Sequence, residues 1–541
     1  METAVVFNNI KLPIDASVKE AFSVAKRKLA KLSSEHSSAV FSVYRRSVDA
    51  RRKDKICFVY SISAKISAEA AAAIDRARLA SADAVITERE KPNIRPGKLQ
   101  LSSPPVVVGS GPSGLFAALL LAEWGYRPVL LERGGSVSER RLAIERFNTL
   151  HILDTETNIQ FGAGGAGTFS DGKLVTRVND PLTAYVLDRF IEFGAPENIR
   201  YIAKPHVGTD ILSVIVDRML ARIAELGGRV EYHTKFISPK VTSGRITHVL
   251  TSKGEIEAGA LILAVGHSAR DTYEELMRLG VAIEAKAFSV GMRIEHLAED
   301  IDRSMYGDLA GHPALGHAEY NLSHNTKERG VYTFCMCPGG EVVAAASEEL
   351  GVVVNGMSYN SRSGRNSNSA VACTVFREDY GATPMAAIEF QRGIERAAYT
   401  SGGGGYAAPI ITVGDFLDGK CRREPSRVTP TYMSGGNVTL SSPDTYLPGI
   451  VTESIKEALT SFDRRIAGFA ARDAVLTGAE TRTSSPLRIL RNPETRLALG
   501  FENFYPAGEG AGYAGGITSA AIDGIKTAIA LIESYEPTSR G

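Results

Sequence analysis

Cysteine is scarce in this 541-residue chain, which has only Cys57, Cys335, Cys337, Cys373 and Cys421. An odd and sparse set argues against a secreted fold held by disulfides and favours a reducing compartment. The first residues lack the basic start and apolar run of a secretory signal. The longest apolar stretch, near residues 115–122, is far shorter than the ~20 residues of a membrane-spanning helix. We therefore expect a soluble, cytoplasmic protein without a membrane partner.

An excess of charge of one sign is also missing. Lys and Arg number 62 and Asp and Glu number 61, so the formal net charge is +1. A nucleic-acid partner would therefore need a local basic patch. One such patch is the segment 45–55, which holds six basic and two acidic residues. Its charges either protect the edge of a solvated hairpin or contact a nucleic acid or protein, and the sequence leaves both interpretations open.

The arrangement of β-rich, helical and turn-rich stretches divides the chain into four predicted segments. Residues 1–98 run in the order strand, helix, strand, strand and helix, which predicts a ferredoxin-like α+β domain with its second helix over Ser67–Ala80. Residues 99–280 are predicted to begin a Rossmann-like α/β domain, which residues 481–541 complete. Residues 281–480 are rich in short β runs and turns, so we expect them to form an inserted mixed β substrate domain.

The predicted Rossmann-like domain opens with a nucleotide-binding signature. A buried strand over 105–108 runs into the glycine-rich turn Gly109-Ser110-Gly111-Pro112-Ser113-Gly114, and an apolar helix follows. The glycines permit a tight turn, a close approach to a pyrophosphate and close packing of helix on strand. Glu132 ends the next β run, near the ~20-residue spacing expected for a ribose-binding acid. These residues are predicted to bind a dinucleotide.

Two later segments favour FAD as that dinucleotide. Arg133 and Arg140 follow Glu132 in the manner of flavoproteins whose arginines reach the cofactor phosphates. A predicted strand over Val230–Phe236 and another over 260–266 precede a glycine-rich turn and helix at 504–534, whose amides would stabilise negative charge on a reduced flavin. The cofactor-binding residues predicted in these segments are Arg133, Arg140, Phe236, Gly266, Gly508, Glu509, Gly515, Gly516 and Ile517.

Several further motifs resemble a known family. They are Ser47 to Arg51, Phe161 to Leu174, Gly266 to Asp271, Phe334 to Gly340, Asn355 to Ser358 and Ser484 to Arg488. Together with the nucleotide segments, they resemble the bacterial FAD-dependent dehydrogenases called NAD(FAD)-utilising dehydrogenases, a glutathione-reductase-like group. The resemblance implies FAD binding and redox activity without naming a substrate. Ala163 stands where that family usually has an acid, so the role of that carboxylate does not transfer.

The loop from Gly162 to Lys173 is the candidate lining of the flavin ring, because its glycines let the backbone lie flat against a planar ligand. Gly164, Gly165, Gly167 and Thr168 are predicted to contact the cofactor, and Lys173 or Ser170 to tune the flavin. A plain glycine loop covering the nucleotide is the alternative.

Other candidate catalytic groups are Cys335, Cys337 and His267. Alternation along a strand would point both thiols to one face, where they would form a redox pair or serve as small core residues. His267 follows the strand over 260–266 and is either a general acid or a structural residue. Arg270 and Asp271 are expected to pair with each other or to cap a helix. Arg362, Arg365, Asn366 and Asn368 suit an anionic ligand or a solvated loop.

The sequence thus predicts an FAD-dependent oxidoreductase, a dehydrogenase or reductase that passes hydride through flavin N5. NAD(P)H is a candidate transient electron donor, although residues 281–480 show no second glycine motif of the nucleotide type. The expected partner is a small-molecule substrate or electron acceptor. No metal site is predicted. The alternatives are a flavin-dependent enzyme that modifies nucleic acid and a flavin-binding sensor or scaffold.

Overall fold

A computed structural model of the chain describes residues 2–89, 94–176, 178–381 and 383–537. The chain divides into two compact units. The smaller unit comprises residues 1–93, 180–206 and 302–318, and the larger unit comprises residues 94–179, 207–301 and 319–541. The four segments expected from the sequence, with boundaries after residues 98, 280 and 480, stay predictions.

The described strands, numbered in chain order, are β1 (Glu2–Pro13), β2 (Val40–Asp49), β3 (Cys57–Lys65), β4 (Ala84–Arg89), β5 (Val106–Val108), β6 (Val129–Leu131), β7 (Arg229–Glu231), β8 (Phe236–Thr242), β9 (Arg245–Thr251), β10 (Gly254–Glu257), β11 (Leu261–Leu263), β12 (Ile283–Ala285), β13 (Phe288–Leu297), β14 (Ser323–Asn325), β15 (Gly330–Cys337), β16 (Glu341–Ala344), β17 (Val354–Met357), β18 (Asn366–Val375), β19 (Ala408–Thr412), β20 (Val438–Leu440), β21 (Val475–Glu480), β22 (Leu487–Ile489) and β23 (Phe504–Pro506).

The described α-helices are α1 (Val18–Leu29), α2 (Ala68–Ala72), α3 (Arg76–Ser81), α4 (Pro112–Glu123), α5 (Val137–Leu150), α6 (Leu182–Glu192), α7 (Thr209–Glu225), α8 (Arg270–Arg278), α9 (Ala298–Tyr306), α10 (Arg377–Tyr380), α11 (Pro384–Ser401), α12 (Val413–Asp418), α13 (Gly449–Asp463) and α14 (Ile517–Ser534). Within the described residues, none of these helices is both long and apolar enough to cross a bilayer.

The smaller unit contains the predicted ferredoxin-like domain. Its four strands lie in the order β2-β3-β1-β4 with every neighbouring pair antiparallel, which is the ferredoxin-like arrangement. The helix expected over Ser67–Ala80 is instead split into α2 and α3. The split has a local cause, because the Asp75 side chain accepts hydrogen bonds from Ala77 N and Arg78 N and so starts a new helix.

The basic segment 45–55 of the smaller unit is partly neutralised by its own acids. Arg51 pairs with Asp49 at 2.6 Å, and Arg52 pairs with Asp54 at 2.8 Å. Asp49 also accepts from Lys11 at 3.2 Å. These pairs fit the interpretation as a solvated hairpin with charged edges.

A parallel five-stranded sheet forms the nucleotide-type core of the larger unit, in the order β23-β11-β5-β6-β7. Strands β5, β6 and β11 consist entirely of buried Val, Leu and Ile, as expected for a parallel sheet covered on both faces. Helix α4 is buried along almost its whole length and packs against α14 and α7. This is the predicted Rossmann-like core.

The prediction of a single strand over Val230–Phe236 is wrong. Strand β7 ends at Glu231, and Phe236 begins β8 in a separate antiparallel sheet of order β10-β9-β8. His233, between the two strands, has a φ of +51°, which breaks the extended conformation.

A mixed seven-stranded sheet lies in the order β14-β15-β18-β13-β21-β19-β20, with only β19 and β20 parallel. Hairpin β16–β17 packs over its central strands on one face, and helix α13 packs on the other. All residues of β13 are buried, since both faces are covered. The predicted mixed β region is confirmed, and its buried centre includes charged side chains.

Candidate functional site

The glycine-rich turn lies at the carboxyl end of the parallel sheet. Gly109 has a φ of +95°, a conformation that favours glycine. A Cβ on Gly114 would lie 1.9 Å from the carbonyl oxygen of Gly109, so only glycine lets α4 approach the strand this closely. Gly111 is the N-cap of α4, and no side chain among the described residues caps that helix. Its first amides are therefore free to bind an anion.

The Glu132 carboxylate links this turn to neighbouring backbone segments through hydrogen bonds. Oε2 accepts hydrogen bonds from the amide and the hydroxyl of Ser110, at 3.1 and 2.5 Å. Oε1 accepts from the amides of Gly134 and Gly162, at 3.0 and 2.9 Å. The side chain is only 4% exposed. Glu132 therefore joins the turn to the loop that begins at Gly162, and its contact with a ribose stays a prediction.

The loop from Gly162 to Lys173 lies directly on the turn. A Cβ on Gly165 would come within 2.8 Å of the Cα of Gly111. The amide of Gly164 donates to Ser110 Oγ at 3.3 Å. A Cβ on Gly167 would meet Ile517 of α14 at 3.0 Å. The structure thus brings three predicted segments together at one crevice.

Arg140 holds this loop in place through hydrogen bonds to backbone carbonyls. Its guanidinium is fully buried and donates to the carbonyls of Asn158, Ile159, Ala163 and Gly165 at 2.6 to 3.1 Å. Burial lowers its pKa to about 10. The structure therefore places Arg140 as a support of the loop backbone. Its predicted contact with a phosphate stays untested.

Arg133 has two acidic partners in the structure. It donates to Glu156 at 2.7 Å and to both oxygens of Asp271 at 3.0 and 3.1 Å, and it stacks on Phe161 with 4.1 Å to the ring centroid. The expected pairing of Asp271 with Arg270 is wrong. Arg270 lies on the other side of the helix start, where it binds Glu395 through two hydrogen bonds of 2.8 Å.

The C-terminal glycine-rich segment is held at the same crevice by an ion cluster. Asp523 of α14 accepts from the amide of Gly508 at 2.8 Å and pairs with Arg491 at 2.7 Å. Burial favours the neutral acid, but the hydrogen bond and charge of Arg491 lower the pKa of Asp523 overall. Helix α14 begins after Gly516 without a side-chain cap among the described residues, and Gly515 and Gly516 are exposed. A second helix N-terminus therefore opens on this edge of the sheet.

His267 and Glu509 follow neighbouring parallel strands, β11 and β23. His267 Nδ1 lies 3.8 Å from Glu509 Oε1. The Tyr273 hydroxyl donates to the carbonyls of Gly266 and Gly510, at 3.0 and 2.8 Å, and so ties the two strand ends together. The two predicted residues therefore form a pair at the carboxyl edge of the sheet, where ligands of such folds bind.

Polar atoms without partners show that this crevice fits a polar ligand. Among the described residues, buried Ser113 Oγ, Thr168 Oγ1 and His267 Nε2 have no hydrogen-bond partner. A buried polar atom left unpaired costs about 1–3 kcal/mol, so three on one crevice need explaining. Hydroxyls and an imidazole beside two uncapped helix starts suit the phosphates and ribityl hydroxyls of FAD. The residues present therefore fit the predicted cofactor.

The residues that the structure brings together at the crevice are Gly109, Ser110, Gly111, Pro112, Ser113, Gly114, Glu132, Gly164, Gly165, Gly167, Thr168, Gly266, Gly508, Glu509, Gly515, Gly516 and Ile517. Phe236, by contrast, is buried in β8 of the antiparallel sheet.

A polar face on the seven-stranded sheet was not predicted from the sequence. Arg293 is fully buried, pairs with Glu480 at 3.0 Å and donates to Asn368 Oδ1 at 2.8 Å. Burial raises the pKa of Glu480, while the charge of Arg293 opposes that rise. Asn366 Oδ1, Asn368 Nδ2 and Thr477 Oγ1 have no partner among the described residues.

The solvated loop considered for Asn366 and Asn368 is therefore wrong, because both lie on buried β18. Arg293 and Glu295 are the sequence signal that could have revealed this face. They are charged residues two positions apart in an otherwise largely apolar run, and alternation places them on the same side of β13.

The end of the glycine loop reaches this second sheet. Lys173 Nζ donates to the carbonyl of Met336 in β15. Buried Asp171 accepts from Ser358 and pairs with Arg362 at 2.6 Å. Lys173 lies 3.8 Å from Asp171. One loop thus contacts the nucleotide turn at its start and the strand of Cys335 and Cys337 at its end.

Comparison with known proteins agrees with this geometry. Residues 287–483 match a family model described as "FAD-dependent protein, C-terminal domain-like", and residues 6–65 match a domain of unknown function. An uncharacterized protein of Clostridium beijerinckii is 43% identical over 540 residues, which cover 98% of this chain and 99% of that protein.

Two solved structures are similar at low identity. CtdE in complex with FAD is 11% identical, with a TM-score of 0.33 over 80% of this chain and 84% of that chain. L-amino acid deaminase from Proteus vulgaris is 13% identical, with a TM-score of 0.33 over 84% of this chain and 97% of that chain.

The family model agrees with FAD as the predicted cofactor, and the parallel sheet behind the glycine-rich turn confirms the predicted Rossmann-like fold. Because 43% identity extends over nearly the whole of both chains, the chain belongs to the same family as the Clostridium beijerinckii protein.

Proposed function

We propose that this protein is an FAD-dependent oxidoreductase, and that it acts on a small polar molecule held between the glycine loop and the polar face of the seven-stranded sheet. When bound, FAD supplies an acceptor and donor of hydride at its N5 atom. The chain's own residues bind the dinucleotide through main-chain amides at the starts of α4 and α14. Ser113, Thr168 and His267 are proposed to give their unpaired polar atoms to the cofactor.

The observation that carries this proposal is the position of the unpaired polar atoms. Those of Ser113, Thr168 and His267 lie around the crevice, and those of Asn366, Asn368 and Thr477 lie on strands β18 and β21 of the second sheet. Lys173 and Asp171 stand on the loop that contacts both places. A ligand that satisfies both sets would bring a polar substrate next to the cofactor.

The unpaired amide and hydroxyl groups also indicate the class of substrate. Asn368 offers a donor, Asn366 an acceptor and Thr477 a hydroxyl, so a neutral or zwitterionic molecule with several hydrogen-bonding groups fits better than an apolar one. Lys173 is proposed to orient the substrate or the flavin edge, and His267 with Glu509 to hold a proton near the crevice. We further propose that the narrower resemblance to the NAD(FAD)-utilising dehydrogenases holds, with a reducing, cytoplasmic location suited to five free thiols.

The test removes single unpaired hydroxyls and measures FAD affinity. Thr168→Val and Ser113→Ala take away groups without a partner in the protein, so the FAD-free variants should unfold no more easily than the parent. Their FAD affinity should fall about 5- to 30-fold, as expected when a hydrogen bond worth about 1–2 kcal/mol is lost. Thr183→Val removes an equally unpaired hydroxyl in α6 of the smaller unit and serves as the matched control. Unchanged FAD affinity in both crevice variants would contradict the proposed site.

The reaction is tested by anaerobic reduction. The purified protein is mixed with NADH, NADPH and a panel of amino acids and other polar metabolites, and bleaching of the flavin absorbance is followed. One of these donors should bleach the flavin, and Asn368→Leu should slow bleaching by that donor while leaving the flavin bound. A protein that shows no flavin band and takes up no FAD on titration would overturn the proposal.

A further inference from the structure

Cys335 and Cys337 occupy an irregular point of strand β15. Cys335 has a φ of +45°, and the register with β18 shifts between Phe334 and Cys337, which marks a β-bulge. Cys335 is partly exposed, whereas Cys337 is completely buried, and both are free thiols. A left-handed conformation at a residue other than glycine costs about 1–2 kcal/mol, so the surrounding contacts must hold it.

The bulge changes the predicted alternation but keeps the Cys337 thiol against the backbone of Cys335. Cys337 Sγ donates to the carbonyl oxygen of Cys335 at 3.3 Å. The neighbouring Cys337 thiol lowers the pKa of Cys335, and the charges of Arg293 and Lys173 lower it further against the effects of burial and of the Asp171 charge. Proximity to Cys335 and burial raise the pKa of Cys337. Cys335, the partly exposed residue, is thus the more acidic of the two.

Two cations support this arrangement. Arg293 donates to the carbonyl of Cys335 at 3.2 and 3.3 Å, and Lys173 donates to the carbonyl of Met336. They hold the backbone on either side of the bulge and place positive charge beside the Cys335 sulfur. A thiolate near cations and reachable from solvent is the reactive form of cysteine.

Cys373, in the same sheet, has only a packing role and serves as a comparison for Cys335. It is completely buried in regular strand β18, and its thiol lies 3.7 Å from the carbonyl oxygen of Thr374. Burial raises the pKa of Cys373. A core thiol needs no left-handed backbone and no arginine on its carbonyl. Cys335 has both, which a packing role leaves unexplained.

The spacing of the pair allows a bond between the sulfurs. Cα atoms two residues apart in an extended strand lie roughly 6.6 Å from each other, and any bend at the intervening Met336 shortens that separation. Disulfides accept Cα separations of about 4.4–6.8 Å, and those near the limits are strained and readily reduced. A bond between Cys335 and Cys337 would therefore be a transient redox bond instead of a structural one.

We propose that Cys335 and Cys337 are a redox-active thiol pair that reduces a disulfide. Cys335 attacks one sulfur of the disulfide, forms a mixed disulfide and releases the other half as a thiolate. Cys337 then gives up its proton and attacks Cys335, which forms the internal disulfide and releases the second half. The pair loses two electrons and two protons, and the substrate gains them as two thiols. The inference rests on the proposed function, because that function supplies the electrons that the thiol pair passes to the disulfide.

The experiment equilibrates the full-length, FAD-loaded protein in buffers of varied ratio of reduced to oxidised glutathione. Free thiols are trapped with N-ethylmaleimide after acid quenching and counted by intact mass and peptide mapping. We expect two labels to disappear together in a single transition, both mapped to Cys335 and Cys337. Labelling of both cysteines at every ratio would overturn the proposal, as would a wild-type protein that stops at a glutathione adduct.

Single variants separate the two roles. Cys337→Ser should keep glutathione on Cys335, because nothing resolves the mixed disulfide, whereas Cys335→Ser should leave buried Cys337 unmodified. Cys421→Ser, which changes a thiol in the segment after α12, is the matched control and should leave the transition unchanged. Flavin absorbance of each sample tests the proposed function separately. If the disulfide between Cys335 and Cys337 forms in protein that binds no FAD, only the proposed flavin site is refuted. If FAD-loaded protein forms no such disulfide, only this inference is refuted.

Discussion

The parallel five-stranded sheet and the mixed seven-stranded sheet of the larger unit both bury polar groups, but they satisfy them by different means. At the parallel sheet the acceptors are mostly carbonyls and the carboxylate of Glu132, which takes its four hydrogen bonds from Ser110, Gly134 and Gly162. At the mixed sheet the charges belong to side chains, chiefly Arg293 and Glu480.

This difference indicates which amino-acid substitutions each part of the site tolerates. A crevice built mostly from main chain depends on small residues that let backbones approach. A face built from buried charges depends on each charge keeping its partner, since an unpaired buried ion is costly. The crevice should therefore be disrupted by adding one methyl carbon to a glycine, and the charged face by removing one charged side chain.

The largest effect is expected at the charged face. Arg293→Leu leaves the Glu480 carboxyl buried without its cation and should lower the free energy of unfolding by about 3–5 kcal/mol. Because burial then raises the pKa of Glu480 in the folded state without the opposing charge of Arg293, stability should fall as the pH rises above the ordinary value of 4.5. Urea unfolding across pH measures both effects. The double variant Arg293→Leu/Glu480→Leu should recover much of the loss, and a double variant as unstable as the single one would contradict this account.

At the main-chain crevice the sharpest change is Gly114→Ala. Its Cβ would stand 1.9 Å from the carbonyl oxygen of Gly109, so the helix and turn must separate. We expect a loss of about 1–3 kcal/mol in stability and no measurable FAD uptake at micromolar cofactor. Gly393→Ala is the matched control, because nothing lies within 4 Å of its Cβ and it sits inside α11. It should raise stability by about 0.5–1 kcal/mol. Normal FAD uptake by Gly114→Ala would refute the close-approach argument.

The same contrast explains which parts of the site could be predicted from the sequence. The glycine motif, the buried strand before it and Glu132 lie close together in the chain, so their spacing alone indicates their geometry. Arg293 and Glu480 are 187 positions apart, and only the pairing of β13 with β21 brings them together. No local pattern encodes that register, which depends on the packing of the whole sheet.

Local patterns also failed where one residue interrupts an element. The helix over Ser67–Ala80 satisfies helical periodicity, yet the Asp75 cap divides it. The strand over Val230–Phe236 has the right composition, yet His233 turns the backbone. Alternation in β15 likewise misses the bulge at Cys335. In each case the interruption is a single backbone conformation, which composition and periodicity do not report.

A smaller effect is expected at Glu132, the carboxylate that joins the glycine-rich turn to the Gly162 loop. Glu132→Gln keeps the shape but turns a donor toward amides that need an acceptor, which should cost about 1–3 kcal/mol of stability. Since the carboxylate holds both the turn and the Gly162 loop, FAD affinity should fall about 10-fold or more. Denaturant unfolding and FAD titration measure the two losses. Glu494→Gln, at an exposed position, should change neither, and equal behaviour of the two variants would exclude the fastening role.

The smallest effect is expected where the two regions meet, at Lys173. Its positive charge helps to lower the pKa of Cys335, so Lys173→Gln should move that pKa upward and leave less thiolate at neutral pH. The rate of Cys335 alkylation at pH 7 should fall about 3- to 10-fold, and the midpoint of its pH profile should rise by up to about one unit. Lys173→Arg should restore the profile, because it keeps the charge. Lys420→Gln removes an exposed lysine and is the control. A profile that stays in place in Lys173→Gln would mean that Arg293 and the Cys337 thiol set the acidity of Cys335 without the loop, and that the glycine loop does not couple the two sheets.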